Sequence, residues 1–193
     1  MRPPKKAPPT LAQLKAELKR ERHRRTYGLT LRSTIYSLIT VAAVAVLVAT
    51  LFLPVLQIYG TSMTPTLYDG DVGVSVKTGR LERGDVVAFY YNNKILVKRV
   101  IAGPGQWVDI DEDGSVYVDG ELLDEPYVEE KALGTCNIEL PYQVPDGRWF
   151  VMGDHRSVSV DSRDQSVGCV SEEQIVGRLT FRLWPLNRIG PLA

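Results

Sequence analysis

The sequence predicts a mostly β protein, with one N-terminal transmembrane helix followed by a compact, partly open, barrel-like β domain. Two observations support this prediction. No Asp, Glu, Lys or Arg occurs between Arg32 and Asp69. After residue 60, short β-branched and aromatic runs alternate with turn signals, and no amphipathic helix of any length interrupts them. Short strands brought together from distant segments are typical of small β domains.

Residues 1–32 form a basic segment with ten Lys or Arg and two Asp or Glu, although the whole chain carries 23 of each charge. Basic residues beside an apolar span are enriched on the cytoplasmic side of membranes, where anionic headgroups attract them. The segment is therefore predicted to be cytoplasmic. Orientation in the bilayer explains its charge better than nucleic-acid binding does, so no nucleic-acid partner is predicted.

Residues 33–55 are predicted to cross the bilayer. The apolar run from Ser33 to Leu53 has about twenty residues, which span about 30 Å as a helix, and Pro54 ends or kinks that helix. A cleaved secretory signal is the alternative. Its apolar core is usually only about 7–15 residues long and its basic leader is short, so a retained anchor is favoured.

Residues 56–193 are predicted to form the β-rich domain. Asn at both central positions of the turn Asn92-Asn93 tolerates the positive φ angles of a tight hairpin, so the flanking runs 85–91 and 94–102 are predicted to pair. Further strands are predicted for the short apolar runs at 71–76, 107–110, 115–118, 149–152 and 175–181.

Two cysteines, Cys136 and Cys169, follow the apolar span. In an oxidising compartment they could form one disulfide. Two buried free thiols are the alternative. The sequence leaves both possibilities open, because the distance between the two Cα atoms determines whether a disulfide can form.

Ser62 lies nine residues beyond Leu53, which places it within about 30 Å of the span even in an extended chain. A serine hydroxyl is a weak nucleophile unless a base removes its proton. The chain has two histidines. His23 is on the other side of the predicted span, whereas His155 leaves a triad of Ser62, His155 and Asp161 as an open alternative.

Lys98 is the other candidate base, since Ser–Lys pairs are a known variant of the catalytic triad. A free lysine titrates near 10.4, and lowering its pKa to about 7–8 requires about 4 kcal/mol, which desolvation supplies. Apolar residues flank Lys98 in the run 95–101. In a strand, Lys98 and Arg99 point to opposite faces, so one face can bury the amine.

Segments around these residues resemble bacterial signal peptidase I of the Gram-positive type, a membrane-anchored Ser–Lys protease that removes signal peptides from exported proteins. The resemblance implies a catalytic domain of the signal peptidase type. The matching segments occur in order from the anchor towards the C-terminus: Ser62–Leu67, Gly84–Val87, Lys98–Gly105, Met152–Arg163, Ile175–Arg178 and Trp184–Gly190.

The resemblance implies catalytic and supporting roles for five residues. Ser62 is expected to be the nucleophile and Lys98 its general base. Ser159 is expected to accept or donate a hydrogen bond at the Lys98 amine and orient it. Asp161 and Arg163 are expected to form a supporting ion pair, and Asp154 and Arg99 are expected to pair similarly as a structural contact.

The family pattern also assigns the surroundings of the nucleophile. The Ser62 N–H is expected to stabilise the oxyanion, and Met63 to line the pocket for small substrate side chains. Gly60 stands where some members carry a hydroxyl residue, so Thr61 or a backbone amide is the candidate second donor. The family usually has Asn at the position of His155, which is expected to be structural.

Signal-peptide-bearing preproteins delivered by the secretion machinery are the expected substrates, with the lipid bilayer as the other partner and no cofactor. The expected location is the bacterial cytoplasmic membrane, crossed once, with the catalytic domain outside. Two alternatives remain: an anchored, non-enzymatic β-domain used for binding or assembly, and a sortase-like transpeptidase built on Cys136. The second needs an upstream histidine, and only His23 precedes Cys136.

Overall fold

The computed structural model describes residues 10–52, 54–77 and 80–192 of the chain. The first nine residues of the predicted basic segment, and Leu53 at the end of the predicted span, lie outside these ranges. The chain divides into a helical unit, Met1–Ala49, and a β-rich unit, Thr50–Ala193.

A single helix, α1, covers Leu11–Phe52. No proline occurs between Pro9 and Pro54, so nothing in the backbone interrupts the helix where the basic segment meets the apolar run. At 42 residues, α1 is about 63 Å long. Its stretch Leu11–Val48 contains a window of mean hydropathy 1.9, which is long and apolar enough to cross a membrane.

The end of the predicted membrane span, residues 33–55, differs from the end of the helix. α1 ends at Phe52, and Val55 begins a strand. The proline at position 54 explains the difference, since it lacks the N–H that a continuing helix would need.

The β-rich unit contains two antiparallel sheets, which confirms the mostly β prediction. The larger sheet consists of β1 (Val55–Gln57), β2 (Val72–Val76), β3 (Val86–Tyr91), β4 (Lys94–Ala102), β9 (Arg148–Met152), β10 (Val170–Ser171), β11 (Ile175–Trp184) and β12 (Gly190–Pro191). The smaller sheet consists of β5 (Trp107–Ile110), β6 (Val116–Val118), β7 (Glu121–Leu122) and β8 (Tyr142–Gln143). Two 3₁₀ helices complete the unit, Glu172–Gln174 and Leu186–Arg188.

The larger sheet is open. Its strand order is β1-β2-β11-β3-β4-β9-β10, with β12 on β11, and within the described ranges its end strands β1 and β10 do not pair with each other. The smaller sheet has the order β7-β6-β5-β8. The domain is thus only barrel-like, and an open strand edge remains for other contacts.

The predicted hairpin is confirmed as β3 and β4, which pair from Tyr91↔Lys94 to Val86↔Arg99. Asn92 in the turn has a φ of 52°, as the two-residue connection requires. The second half of β4 also pairs with β9, beginning at Arg99↔Met152. The first half of β4, residues 94–98, pairs with β3 alone among the described strands.

A buried apolar cluster anchors the turn that follows β1. It consists of Ile58, Met63, Leu67, Val86, Ala88 and Leu179. Met63 and Leu67 are 2% and 0% exposed, and burying such side chains contributes about 1.5–3 kcal/mol each. These two buried side chains fix the backbone just after Ser62, which directly precedes Met63 in the sequence.

Both cysteines are free thiols in the structure. Cys136 is partly buried and Cys169 is buried. Burial raises the pKa of the Cys169 thiol to about 11, so this thiol is uncharged and unreactive near neutral pH.

Candidate active site

Ser62 lies on a closed turn between β1 and β2. The Ile58 N–H donates to the Asp71 carbonyl at 2.8 Å, and the Gly70 N–H donates to the Ile58 carbonyl at 2.9 Å. Within the turn, the Leu67 N–H donates to the Met63 carbonyl at 2.8 Å. We call residues 58–71 the nucleophile turn. Its backbone is hydrogen-bonded at both ends, so the half-buried Ser62 is presented from a rigid support.

The lysine and the serine singled out in the sequence meet directly. The Lys98 Nζ donates to the Ser62 Oγ at 2.7 Å, across 36 residues of sequence. Lys98 is only 3% exposed and lies opposite Val87 in the β3–β4 ladder. The geometry is that of a base within proton-transfer distance of a hydroxyl.

Burial lowers the pKa of the Lys98 amine to about 8. Desolvation is the largest cause, since it disfavours the charged form. The negative charge of Asp161 acts in the opposite direction, and the positive charge of Arg163 adds to the lowering. About one amine in ten is then neutral at pH 7, against fewer than one in a thousand for a free lysine.

Asp161 and Arg163 form a fully buried, bidentate ion pair behind Lys98. The Arg163 Nε donates to Oδ1 and the Arg163 Nη2 to Oδ2, both at 2.9 Å. Burial alone would raise the pKa of Asp161, but the hydrogen bonds and charge of Arg163 hold it below its usual range. The carboxylate beside the amine is therefore ionised.

Ser159 differs from expectation in its hydrogen bond. Its Oγ donates to the Asp161 Oδ2 at 2.6 Å, while the Lys98 amine donates to Ser62. Among the described residues, no hydrogen bond joins Ser159 to Lys98. An ionised carboxylate is a stronger acceptor than a neutral amine, which accounts for the choice of partner.

A second buried ion pair supports the nucleophile turn from the other face of β4. Arg99 donates to both oxygens of Asp154, at 3.0 Å and 2.8 Å. The Thr66 hydroxyl donates to the same carboxylate at 2.6 Å. The Arg99–Asp154 pair was expected from the sequence; the contact of Thr66 was not, and its only signal was the position of Thr66 inside the family segment.

Gly153 is closely packed between the backbone of Ser62 and the side chain of Ser159. A Cβ at this position would collide with the Ser62 carbonyl and with the Ser159 Oγ. The Gly153 N–H donates to Asp161 at 3.0 Å, and His155, two residues later, donates its N–H to the Ser62 carbonyl at 3.1 Å. A side chain here would separate the nucleophile from the residues behind the lysine.

The His155 ring is engaged away from the nucleophile. Its Nδ1 shares a hydrogen bond with the Thr64 Oγ1 at 2.9 Å. In the described ranges no hydrogen bond links this ring to the Ser62 hydroxyl or to Asp161, whose oxygens are taken by Arg163, Ser159 and Gly153. The structure thus offers no support for a histidine-based triad.

The environment of Gly60 and Thr61 restricts the choice of a second oxyanion donor. The Gly60 N–H donates to the Asp69 carboxylate at 2.7 Å, so this amide is already engaged. The Thr61 carbonyl accepts from Thr64, and the residue is exposed. The Ser62 N–H and the Thr61 hydroxyl remain as candidates.

A cavity of about 640 Å³ opens beside the reactive pair. Its lining comprises residues 56–60, Ser62, Met63 and residues 93–98. The two walls are thus the segment of β1 and the half of β4 that pairs only with β3. A larger cavity of about 880 Å³ lies near Arg99, but Ser62 and Lys98 do not line it, so the smaller cavity is the candidate groove.

One buried ion pair was missed by the sequence analysis. Glu125 lies shortly after β7 and accepts two hydrogen bonds from Arg156. The Arg156 Nε in turn donates to the Gly153 carbonyl at 3.1 Å. No local pattern signals a pair separated by 31 residues.

Across the described ranges, no group of three or more His, Cys, Asp and Glu side chains is arranged to hold a metal ion.

A buried amine hydrogen-bonded to a serine hydroxyl, beside an apolar groove, is an arrangement typical of serine peptidases that use a lysine base. The model of the family described as signal peptidase, peptidase S26, matches residues 31–184. This chain therefore belongs to the signal peptidase family. All eight site residues expected from the sequence lie inside the matched range.

Several named relatives are similar to this chain. Signal peptidase IB of Staphylococcus aureus is 42% identical over 150 residues, covering 67% of this chain and 77% of that protein. Signal peptidase I of Bacillus licheniformis is 36% identical over 165 residues, covering 79% and 87%. The crystal structure of a signal peptidase I from Enterococcus faecalis aligns with a TM-score of 0.44 and 30% identity, over 54% of this chain and 100% of that one. Neither the non-enzymatic module nor the sortase-like alternative finds support in these similarities.

Proposed function

We propose that this protein is a membrane-anchored serine endopeptidase that removes N-terminal signal peptides from exported preproteins, with Ser62 as nucleophile and Lys98 as general base. One observation carries the proposal: a buried amine, with a pKa lowered to about 8, lies 2.7 Å from the serine hydroxyl. Membership of the signal peptidase family supports the choice of substrate.

The first half of the reaction forms an acyl-enzyme. The neutral Lys98 amine takes the proton of the Ser62 hydroxyl as its Oγ attacks the carbonyl carbon of the scissile peptide bond. The Ser62 N–H stabilises the oxyanion of the tetrahedral intermediate. Lys98 then gives its proton to the departing amine of the mature protein, and the signal peptide stays bound to Ser62 as an ester.

The second half hydrolyses that ester. The neutral Lys98 now takes a proton from a water molecule, whose oxygen attacks the ester carbonyl. Collapse of the second tetrahedral intermediate breaks the bond to the Ser62 Oγ, and Lys98 returns the proton to that oxygen. The signal peptide leaves as a free carboxylic acid, and both side chains regain their starting protonation states.

Ser159, Asp161 and Arg163 act as supporting residues in this proposal. Asp161 attracts the protonated form of Lys98, while burial and Arg163 disfavour it. The balance of these effects keeps the pKa of the amine near the pH at which a base is most effective. Ser159 acts through Asp161, because the Ser159 hydroxyl donates a hydrogen bond to the Asp161 Oδ2 at 2.6 Å.

The groove is suited to an extended peptide with small side chains. Its two walls come from strand segments with free edges, to which a peptide can add by backbone hydrogen bonds. Apolar side chains such as Met63 and Val97 line the space next to Ser62. Signal peptides carry small residues at the −1 and −3 positions, in the A-x-A pattern, which such a shallow apolar lining accommodates.

The chain between helix and nucleophile supports a membrane-level cleavage site. Ser62 lies ten residues beyond Phe52, and a stretch of that length reaches at most about 36 Å when fully extended. With the basic end of α1 in the cytoplasm, the β-rich unit would lie on the extracytoplasmic side. Preproteins leaving the secretion machinery would present their cleavage sites there, close to the lipid headgroups.

The cleavage test uses the full chain in detergent with a labelled preprotein whose signal peptide ends in A-x-A. We expect one cut, after the −1 residue, because signal peptides carry small residues at the −1 and −3 positions that mark the cleavage site. Sequencing the N-terminus of the product locates the cut. The matched substrate has Trp at −1 and should remain intact; equal cleavage of both preproteins would contradict the proposal.

The pH dependence should report the Lys98 amine. Below about pH 8 the amine holds a proton and cannot act as a base, so kcat/KM should rise about tenfold per pH unit and level off above about pH 8. A docked peptide removes more water from the amine, so kcat should level off at a lower pH. Initial rates from about pH 6 to about pH 9 measure both profiles, and flat profiles would contradict a lysine base.

A further inference from the structure

The chain segment after β11 folds back against the nucleophile turn. It contains the short helix Leu186–Arg188 and the strand β12, which pairs with β11 at Phe181↔Pro191. We call residues 185–192 the C-terminal tail. The family model ends at residue 184, and the resemblance seen in the sequence, which extends to Gly190, assigns no role to this tail.

Asp71, the last residue of the nucleophile turn, depends on arginines from this region. Asp71 is 1% exposed. Its Oδ1 accepts from the Arg188 Nη2 at 3.1 Å, and its Oδ2 accepts from the Arg182 Nη1 at 3.4 Å. A buried carboxylate is costly unless it is paired, so the arginine of the tail contributes to closing the turn at this end.

Arg182 connects the tail to the middle of the same turn. Its Nη1 donates to the Thr66 carbonyl at 2.8 Å, and its Nε donates to the Arg188 carbonyl at 2.7 Å. The guanidinium of Arg188 also lies 4.3 Å from the centre of the Tyr68 ring, a favourable cation–π arrangement. Three residues of the turn, Thr66, Tyr68 and Asp71, are thus contacted from the tail side.

These contacts bear on the distance between nucleophile and base. Thr66 is held at two atoms. Its hydroxyl donates to Asp154, and its carbonyl accepts from Arg182 on the tail side. Ser62 is four residues away on the same turn. Loss of one set of contacts lets the turn shift, and a shift of about 1 Å at a reacting group can lower a rate by about a hundredfold.

We propose that the C-terminal tail is a positioning element for the nucleophile, and that Arg188 is its positioning residue. Arg188 touches neither Ser62 nor Lys98; it acts through Asp71 and Tyr68 on the turn that carries Ser62. This inference rests on the proposed role of Ser62. The tail is expected to affect the rate of acylation and to leave the basicity of Lys98 unchanged.

The test compares the full-length Arg188→Ala enzyme with the wild type. We expect kcat to fall about tenfold, a change of about 1.4 kcal/mol, with KM changed by less than about twofold and the pH midpoint unmoved. A small serine-acylating reagent, which does not need the groove, should react with Ser62 more slowly by the same factor. Arg188→Lys keeps the charge but loses the planar fork, so it should restore part of the rate.

Arg178→Ala is the matched control. Arg178 lies on β11, its side chain is 39% exposed against 36% for Arg188, and it pairs with Asp85 at 3.1 Å, the distance of Arg188 from Asp71. We expect this variant to keep wild-type kcat and acylation rate. Thermal unfolding of both variants shows whether their stabilities match.

Three results would overturn the inference. They are an unchanged acylation rate in Arg188→Ala, a rise in KM without slower acylation, and an equal loss in the Arg178→Ala control. If Arg188→Ala unfolds at the assay temperature, the same comparison made with Arg188→Lys decides. The proposed function fails separately, if the wild-type enzyme is not acylated at Ser62.

Discussion

Ser62→Ala should abolish preprotein cleavage and leave the β-rich unit folded. The substitution removes the only atom that forms the acyl bond, and losing a catalytic serine typically lowers kcat by a factor on the order of 10⁶. The fold should tolerate it because Ser62 is half-buried and its hydroxyl contacts Lys98 rather than the core. Met63 and Leu67, which anchor the turn, are untouched.

Rates of preprotein cleavage and thermal unfolding curves test this expectation together. Ser166→Ala is the matched control, because Ser166 is an exposed loop serine of the same unit; this variant should cleave at the wild-type rate. Cleavage by Ser62→Ala at a rate near that of wild type would reject Ser62 as the nucleophile.

Lys98→Met should lose most of the activity, although less than Ser62→Ala loses. General-base catalysis typically contributes about 10²–10⁴-fold, and the unactivated hydroxyl is a poor nucleophile. Methionine has a similar length and suits a position that is 3% exposed, so the fold should survive. The residual activity should lose its rise towards about pH 8, because the group that titrates there is gone.

Two variants serve as controls for the lysine. Lys77→Met removes an exposed amine just after β2 and should leave the rate unchanged. His155→Asn should keep most of the activity, since an amide side chain can still bond the Thr64 hydroxyl that the imidazole contacts. A loss in His155→Asn as large as that in Lys98→Met would instead favour a histidine base.

The sequence predicted best those features that depend on near neighbours. The Asn92-Asn93 turn, flanked by two β-branched runs, predicted the β3–β4 hairpin because turn type and strand pairing are local. The alternation of Lys98 and Arg99 predicted that the amine and the guanidinium would lie on opposite faces. The contacts of Arg99 with Asp154 and of Lys98 with Ser62 agree with that alternation.

Features that depend on distant partners were not predictable. Arg188 and Asp71 are 117 residues apart, and neither has a local signature of ion pairing. The choice of Asp161 over Lys98 as the partner of Ser159 depends on which acceptor is charged in the folded site. The uninterrupted helix across the basic and apolar segments was also missed, because charge composition suggested a boundary where the backbone has none.

The neighbouring positions of Lys98 and Arg99 on β4 limit which insertions and deletions this chain can accept. While β4 keeps its pairing with β3, losing one residue after the hairpin turn would put a permanently charged guanidinium where the amine now stands. Gaining one residue would put Val97 there. Side chains along this ribbon can be exchanged, but the number of residues between the turn and the base has to be preserved.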